Sequence, residues 1–233
     1  MRINKYIASS GVCSRRKADE LIEKGEVKVN DKVLFSLGYD VKENDKVEVS
    51  GKIISNNQNL VYFMLNKPKG IICSSSDEKG RKTAVDLIKT TERIFCVGRL
   101  DYDSEGLILL TNDGELAYSL THPSMEIPKT YVVKIKGEIK ESELAVLRNG
   151  VKIKDVKYNK CKINVLEKTK DFTKLEIILT EGKNREIRKM FEFIGKEITL
   201  LKRIKLADLR LGGLNRGEYR ELKDYEVEYL KSL

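Results

Sequence analysis

Apolar side chains recur at helical spacing in five stretches of the chain. The clearest case places Ile187, Met190, Phe191 and Ile194 at i, i+3, i+4 and i+7, which gives one buried face of a helix. Ser14 is a suitable N-cap, and other stretches repeat the spacing less fully. We therefore predict helices over 2–9, 15–24, 115–120, 141–147 and 184–194.

Strict alternation of apolar and polar residues marks several other segments as strands. It is visible at Tyr131-Val133-Ile135, at Cys161-Ile163-Val165 and at Leu175-Ile177-Leu179. Apolar runs over 94–97 and 107–111 also suit strands. Helices interrupt these strands, so we predict an α+β protein whose larger part has a mainly antiparallel sheet.

The first fifty residues form a separate pattern of two short helices followed by a hairpin. Asn30 and Asp31 separate two alternating runs, and both residue types tolerate left-handed turn geometry. A further short strand follows at Val47-Glu48-Val49, and then a stretch rich in Ser, Asn and Gly. We predict a small domain over 1–50, a linker over 51–59 and a large domain over 60–233.

The chain of 233 residues carries a formal net charge of +9, which favours polyanionic partners but also fits an ordinary basic protein. The charge is uneven, because residues 1–17 contain no acid. Their five cations form either a solvated surface or a phosphate-binding face at the starts of two helices. These cations are Arg2, Lys5, Arg15, Arg16 and Lys17.

The cysteines and the phosphate-binding motifs argue against several classes of site. The four cysteines include no C-x-x-C pair and His122 is the single histidine, so we expect no metal. Free cysteines indicate a reducing, cytoplasmic setting, and no apolar stretch is long enough to span a bilayer. Without a glycine-rich phosphate loop we also expect no nucleotide cofactor.

Asp101 is the leading candidate for chemistry. It follows Gly98-Arg99-Leu100 on a loop between two strand-like runs, where a carboxylate is held by rigid elements. The residues alone leave two roles open to it: a cap of the turn, or one of two paired acids with Asp103 or Glu105.

Three further motifs accompany this loop. Asn66-Lys67-Pro68-Lys69-Gly70 is typical of a turn that ends a strand, and Pro128-Lys129-Thr130-Tyr131 opens another strand. In the segment 181–191, Arg185, Arg188 and Lys189 share one helix face apart from the apolar one. That stripe is either solvated or directed at a ligand.

These motifs, in this order, resemble the pseudouridine synthases that modify ribosomal RNA, specifically the RsuA/RluB/RluF-type branch. The helix–helix–hairpin unit is similar to the α-L RNA-binding module, and the tail Gly217-Glu218-Tyr219-Arg220-Glu221-Leu222 also fits the family. The resemblance covers nearly the whole chain. It implies isomerisation of uridine to pseudouridine in RNA without any cofactor.

The resemblance also implies roles for individual residues. Asp101 would act as nucleophile or base on a flipped-out uridine, Arg99 would fill the gap that the base leaves, and Tyr131 would stack on the base. Arg188, or failing that Arg185, would pair with the aspartate, keep it ionised and orient it bidentately. Lys67 would be a substrate-side or a structural residue.

We expect the partner to be ribosomal RNA or a pre-ribosomal particle and the protein to be a monomer. Large-subunit RNA is favoured, and small-subunit RNA is the alternative. A non-catalytic RNA-binding assembly factor that retains the fold is the competing hypothesis from a different class.

Overall fold

The computed structural model describes residues 1–56 and 59–233, which divide into two compact units. The first comprises Met1–Val61 with the short segments Thr90–Arg93 and Asn112–Gly114. The second comprises the rest of the described chain. No helix of the described residues is long and apolar enough to cross a membrane.

The first unit packs two helices on a four-stranded antiparallel sheet of order β2-β1-β3-β4. The Ser14 side chain caps α2 by accepting the Lys17 N–H at 3.2 Å, as the sequence predicts. Asn30 and Asp31 both have positive φ, 51° and 64°, which confirms the predicted hairpin turn. The elements are α1 (Ile3–Ser9), α2 (Arg15–Glu23), β1 (Val27–Val29), β2 (Lys32–Val33), β3 (Val47–Val49) and β4 (Lys52–Ile54).

Strand β4 corrects the predicted linker over 51–59 at its start. Ser50 and Gly51 adopt positive φ, 47° and 82°, and turn the chain back so that Lys52–Ile54 pairs with β3. The residues that indicated a linker therefore form a hairpin turn. Asn57 and Gln58 of the predicted linker lie outside the described residues.

The second unit is built on a nine-stranded sheet of order β11-β12-β8-β13-β7-β5-β15, with β14 paired to β13 and β6 paired to β7. The pairing of β13 with β7 is parallel and the other pairings are antiparallel, so the predicted fold class is confirmed. A separate hairpin joins β9 and β10. The strands are β5 (Tyr62–Lys67), β6 (Phe95–Val97), β7 (Glu105–Thr111), β8 (Lys129–Lys136), β9 (Lys152–Ile153), β10 (Val156–Lys157), β11 (Lys162–Lys168), β12 (Phe172–Leu179), β13 (Ile198–Leu206), β14 (Leu209–Arg210) and β15 (Tyr219–Glu221).

Helices of the second unit cover two separate core clusters. Leu144 and Leu147 of one helix and Phe191 of another pack with the inward residues of β8 and β12. Leu116 and Leu230, from two further helices, pack with β5 and β7. The helices are α3 (Gly114–Thr121), α4 (Glu141–Arg148), α5 (Glu186–Phe193) and α6 (Asp224–Lys231).

The predicted helices are confirmed with small shifts at their ends, and two differences have physical causes. Helix α5 begins at Glu186 rather than at Asn184, because Arg185 is in the left-handed region with φ 51° and cannot continue a helix. Helix α6 was not predicted, although Val227 and Leu230 lie on one face of it.

The parallel contact between β7 and β13 depends on Gly106. This glycine has φ +107° and lies beside Arg203, so that a Cβ atom would stand 2.1 Å from the Arg203 carbonyl oxygen and 2.7 Å from its nitrogen. Residues with a side chain rarely adopt that φ, and no side chain fits the gap. Gly106 therefore lets the two strands meet where β7 leaves the Asp101 loop.

Replacing Gly106 by alanine should lower the free energy of unfolding by more than about 3 kcal/mol, because the backbone of β13 must move. Gly137→Ala is the matched control, since Gly137 also has positive φ, 70°, but no atom lies within 4 Å of its added Cβ. That change should cost about 1–2 kcal/mol. Urea unfolding followed by circular dichroism measures both, and equal losses would contradict this account of Gly106.

Candidate active site

The Asp101 loop is fastened to its surroundings by backbone hydrogen bonds. The Leu100 N–H donates to Cys73 Sγ at 3.3 Å, and Gly70 N–H donates to the Tyr102 carbonyl at 2.8 Å. Within the loop, Ser104 N–H closes a turn on the Asp101 carbonyl at 3.1 Å. The Asp101 side chain is 26% exposed, so a fixed carboxylate is presented at the surface of the unit.

Two arginines from the start of α5 face this loop. Arg188 Nε lies 3.2 Å from Asp103 Oδ2 and 3.9 Å from Asp101 Oδ2. Its Nη2 donates to the Asp103 carbonyl at 3.0 Å and to Ser104 Oγ at 3.2 Å. Arg185 Nη1 lies 3.5 Å from Asp103 Oδ1 and 3.9 Å from Asp101 Oδ2. Both predicted arginines are thus brought to Asp101.

The expected bidentate contact of Arg188 with Asp101 is not formed. The guanidinium instead spans the carboxylate and carbonyl of Asp103 and the hydroxyl of Ser104, which places it under the turn that follows Asp101. Asp101 therefore has two cationic groups at 3.9 Å and no short hydrogen bond from either. That arrangement stabilises its negative charge while leaving its oxygens open to a substrate.

Glu105 is excluded as the second acid of a catalytic pair with Asp101. This residue is 3% exposed, lies in β7 and is bound by Arg216, whose Nη2 is 3.0 Å from Oε2. Glu105 therefore holds the tail segment rather than facing a ligand. Asp103, the other possible partner, is already engaged by Arg185 and Arg188.

Tyr131 lies two strands away from the start of β7. It is opposite Ile177 of β12 and Arg203 of β13, and Arg203 is in turn opposite Gly106. Neighbouring strands are about 4.8 Å apart, so the Cα atoms of Tyr131 and Gly106 are separated by about 10 Å. The Tyr131 ring is half-buried against the core cluster that includes α5.

Arg203 is a buried arginine that the sequence did not single out. It is 3% exposed, and its Nε donates to the Leu107 carbonyl at 2.7 Å, which ties β13 to β7. Arg203 lies in the run Lys202-Arg203-Ile204-Lys205, and nothing in this pattern distinguishes the buried arginine from the two lysines.

Lys67 is fully buried, which rules out direct contact with RNA in this structure. Its Nζ donates to the Pro68 carbonyl at 3.0 Å and to the Ile71 carbonyl at 2.8 Å, and so closes its own turn. Burial lowers the pKa of Lys67 from its ordinary value. Of the two roles that the resemblance implies for Lys67, these contacts favour the structural one over the substrate-side one.

A pair of cysteines under the Asp101 loop was also missed. A hydrogen bond with Cys96 lowers the pKa of Cys73 to about 6, with the Leu100 N–H, Lys67 and Arg203 adding to the effect against burial. The same contact, together with burial, raises the pKa of Cys96. Single cysteines far apart in sequence give no sign that they meet.

The remaining predicted contacts are basic side chains at the surface. Arg99 is exposed two residues before Asp101, and Arg15 and Arg16 are exposed at the start of α2. Arg2 binds the Gly38 carbonyl and lies 3.6 Å from Asp40, while Lys17 lies 2.8 Å from Glu20. Lys5 is half-buried on α1. Within residues 1–56 and 59–233 no group of three acidic, histidine or cysteine side chains could hold a metal.

Comparison with known protein families assigns the chain to a family. Residues 61–193 match the model of the RNA pseudouridylate synthases, and residues 1–47 match the S4 domain. The chain belongs to the RNA pseudouridylate synthase family. More narrowly, it is a synthase of the RsuA/RluB/RluF type with an N-terminal S4 domain, as its motif order implied.

Relatives of this synthase match along their length. Ribosomal large subunit pseudouridine synthase B of Bacillus subtilis is 46% identical over 235 residues, with 100% of this chain and 96% of the relative covered. The dual-specificity RNA pseudouridine synthase RluF of Escherichia coli is 39% identical, with 97% and 77% covered. A crystal structure of a pseudouridylate synthase matches with a TM-score of 0.72 and 28% identity over 99% of both chains.

Replacing Arg188 by lysine should lower the single-turnover rate of this synthase about 10²-fold. An ammonium group cannot reach Asp103 and Ser104 together, so the Asp101 loop loses its fixed position. The rate is measured on unmodified ribosomal RNA at saturating enzyme. Arg210→Lys, an exposed change of the same kind on β14, should leave the rate unchanged. Equal rates for both variants would contradict the role given to Arg188.

Proposed function

We propose that this synthase isomerises a specific uridine of ribosomal RNA to pseudouridine, with Asp101 as the residue that acts on the nucleotide. The observation that carries the proposal is the Asp101 carboxylate itself. It is partly exposed on a loop held by backbone hydrogen bonds, with two guanidinium groups 3.9 Å away.

The reaction is an isomerisation, so its atoms balance within the uridine. The bond from C1′ to N1 breaks, the uracil turns, and a bond from C1′ to C5 forms. C5 then loses its proton and N1 gains one. No redox carrier or nucleotide is consumed. Asp101 starts this sequence by attacking C1′, by attacking C6 or by removing a proton from the sugar, and a carboxylate can perform each of these steps.

The target uridine must leave its stack before Asp101 can reach it, at a cost of a few kcal/mol. Arg99 is exposed beside the loop and can stack and hydrogen-bond where the base was. Tyr131 is assigned to the face of the flipped base, where a ring contributes about 1–3 kcal/mol. Arg185 and Arg188 each place a guanidinium nitrogen 3.9 Å from the carboxylate.

Large-subunit RNA is the favoured substrate. The Bacillus subtilis relative is named a large-subunit synthase, and the match between the two chains extends over almost all of both. Small-subunit RNA is the second candidate. We place the enzyme in the cytoplasm as a monomer that acts on ribosomal RNA or a pre-ribosomal particle.

Tritium release from ribosomal RNA labelled at C5 of uridine tests the chemistry. The wild-type protein should release one equivalent per target site, since C5 exchanges its proton for the bond to C1′. Asp101→Asn should slow release by about 10³-fold or more, as expected when the reacting carboxylate is removed. Asp103→Asn is the matched control, and it should retain measurable activity because Asp103 only holds the arginines.

Three other outcomes would each contradict a part of this proposal. Equal release by wild type and Asp101→Asn would overturn the assignment of Asp101. No release by the wild type from either ribosomal RNA would favour the binding-only assembly factor. Free uracil without pseudouridine would indicate hydrolysis of the glycosidic bond.

RNA binding by the S4 domain should depend steeply on salt. Changing Arg15, Arg16 and Lys17 together to alanine should weaken binding and reduce the slope of log K against log salt by about two to three, since each lost phosphate contact releases about one counterion fewer. The control changes Lys32, Lys42 and Lys52, exposed cations of the same unit, to alanine. If both triple variants show the same slope, the α2 cations do not bind phosphate.

A further inference from the structure

Two glutamates, Glu181 before α5 and Glu186 at its start, bind the same lysine. Glu186 is 4% exposed and accepts the Lys183 N–H, while Glu181 accepts the Lys183 ammonium. An ionised carboxylate is only an acceptor, and burying it is costly unless donors reach its oxygens.

The contacts of the two carboxyl groups show which of them is charged. Glu181 Oε1 accepts the Asn159 N–H at 2.7 Å, and Glu181 Oε2 accepts the Lys183 ammonium. Glu186 Oε2 accepts the Lys183 N–H at 2.9 Å, but its buried Oε1 meets no donor among the described residues. Glu181 has the donors that a charged carboxylate needs, and Glu186 is the neutral partner.

The charged and titratable groups that face the pair support this assignment. Lys183 is the cation in direct contact, and it is also bound to the Lys157 carbonyl at 2.6 Å. Tyr158, Cys161 and Lys129 are further titratable groups that interact electrostatically with Glu186. Burial, then the contact with Glu181, raises the pKa of Glu186 to about 8. Burial alone would raise the pKa of Glu181, but the hydrogen bonds that Glu181 accepts lower this pKa below its ordinary value.

Glu186 follows Arg185 directly in the chain and lies two residues before Arg188. Glu186 closes a loop on Lys183 twice, through its carboxylate and through its own N–H, which donates to the Lys183 carbonyl at 3.2 Å. That loop contains Arg185, which is held at φ 51° and ψ 35°. A residue with a side chain needs support to stay in this region. Arg188 follows on the first turn of the same helix.

We propose that Glu186 is a positioning residue whose neutral carboxyl closes the 183–186 loop and holds Arg185 and Arg188 against the Asp101 loop. The proposal rests on the function proposed above. When Glu186 loses its proton, its buried carboxylate has one oxygen without a donor and lies near the charged Glu181, and the repulsion between them opens the 183–186 loop. The arginines then withdraw from Asp101, so the synthase is active only while Glu186 is protonated.

The test is the single-turnover rate on ribosomal RNA between pH 6.5 and 9.5. The wild type should lose rate above about pH 8, close to tenfold per pH unit, as one essential proton requires. Glu186→Gln supplies a permanently neutral partner and should remove that fall. Glu192→Gln, the same change at an exposed position of α5, should keep the wild-type profile. Coincident profiles for all three proteins would overturn the proposal.

Two readouts without RNA separate this proposal from the proposed function. Carbon-13 NMR of the glutamate carboxyls in the wild type should show one group titrating near pH 8, and titration of every glutamate below pH 6 would overturn the proposal. The folded chain keeps this proton and the unfolded chain releases it near the ordinary value of 4.5. The free energy of unfolding should therefore fall relative to Glu186→Gln as pH rises from about 4.5 to about 8. If wild type is inactive at every pH, the proposed function fails while these readouts still decide the proton.

Discussion

The close approach of Gly106 to the backbone of Arg203 is the constraint on which the catalytic unit depends. It joins β7 to β13 in the one parallel pairing found among the described strands, and so connects the two halves of the nine-stranded sheet. One half carries the Asp101 loop, and the other carries Tyr131 and leads into α5. The Arg203 side chain strengthens the same junction through Leu107. Without this contact, only the direct contacts of Arg185 and Arg188 with Asp103 and Ser104 would relate the arginines to the Asp101 loop.

Across that junction, Asp103 orients the two arginines, and Asp101 remains available to a substrate. Asp103 takes the shorter contacts from Arg185 and Arg188, while Asp101 has the same cations at 3.9 Å. The arginines are thus oriented by a residue that need not react. A carboxylate that is stabilised but not capped is suited to act on a substrate, because its oxygens need not give up a hydrogen bond first.

The local features of the fold could be predicted from sequence. Asn30-Asp31 indicated a turn because both residues tolerate positive φ, and the alternation from Leu175 to Leu179 indicated β12. The resemblance to the family also points to the candidate site residues Asp101, Arg185 and Arg188. Features set by distant partners could not be predicted. The burial of Lys67 depends on carbonyls of its own folded turn, and Glu105 is paired with Arg216 from the tail. Strand β4 could not be predicted because Ser50-Gly51 is equally typical of linkers and of hairpin turns.

The central claim is that this chain converts a defined uridine of ribosomal RNA. Pseudouridine mapping of ribosomal RNA from cells that have or lack the protein tests it most directly, with complementation by wild type and by Asp101→Asn. The account predicts that one site, or a small set of sites in a shared context, is modified only when the wild-type protein is present. An unchanged map in cells without the protein, or restoration by Asp101→Asn, would contradict it.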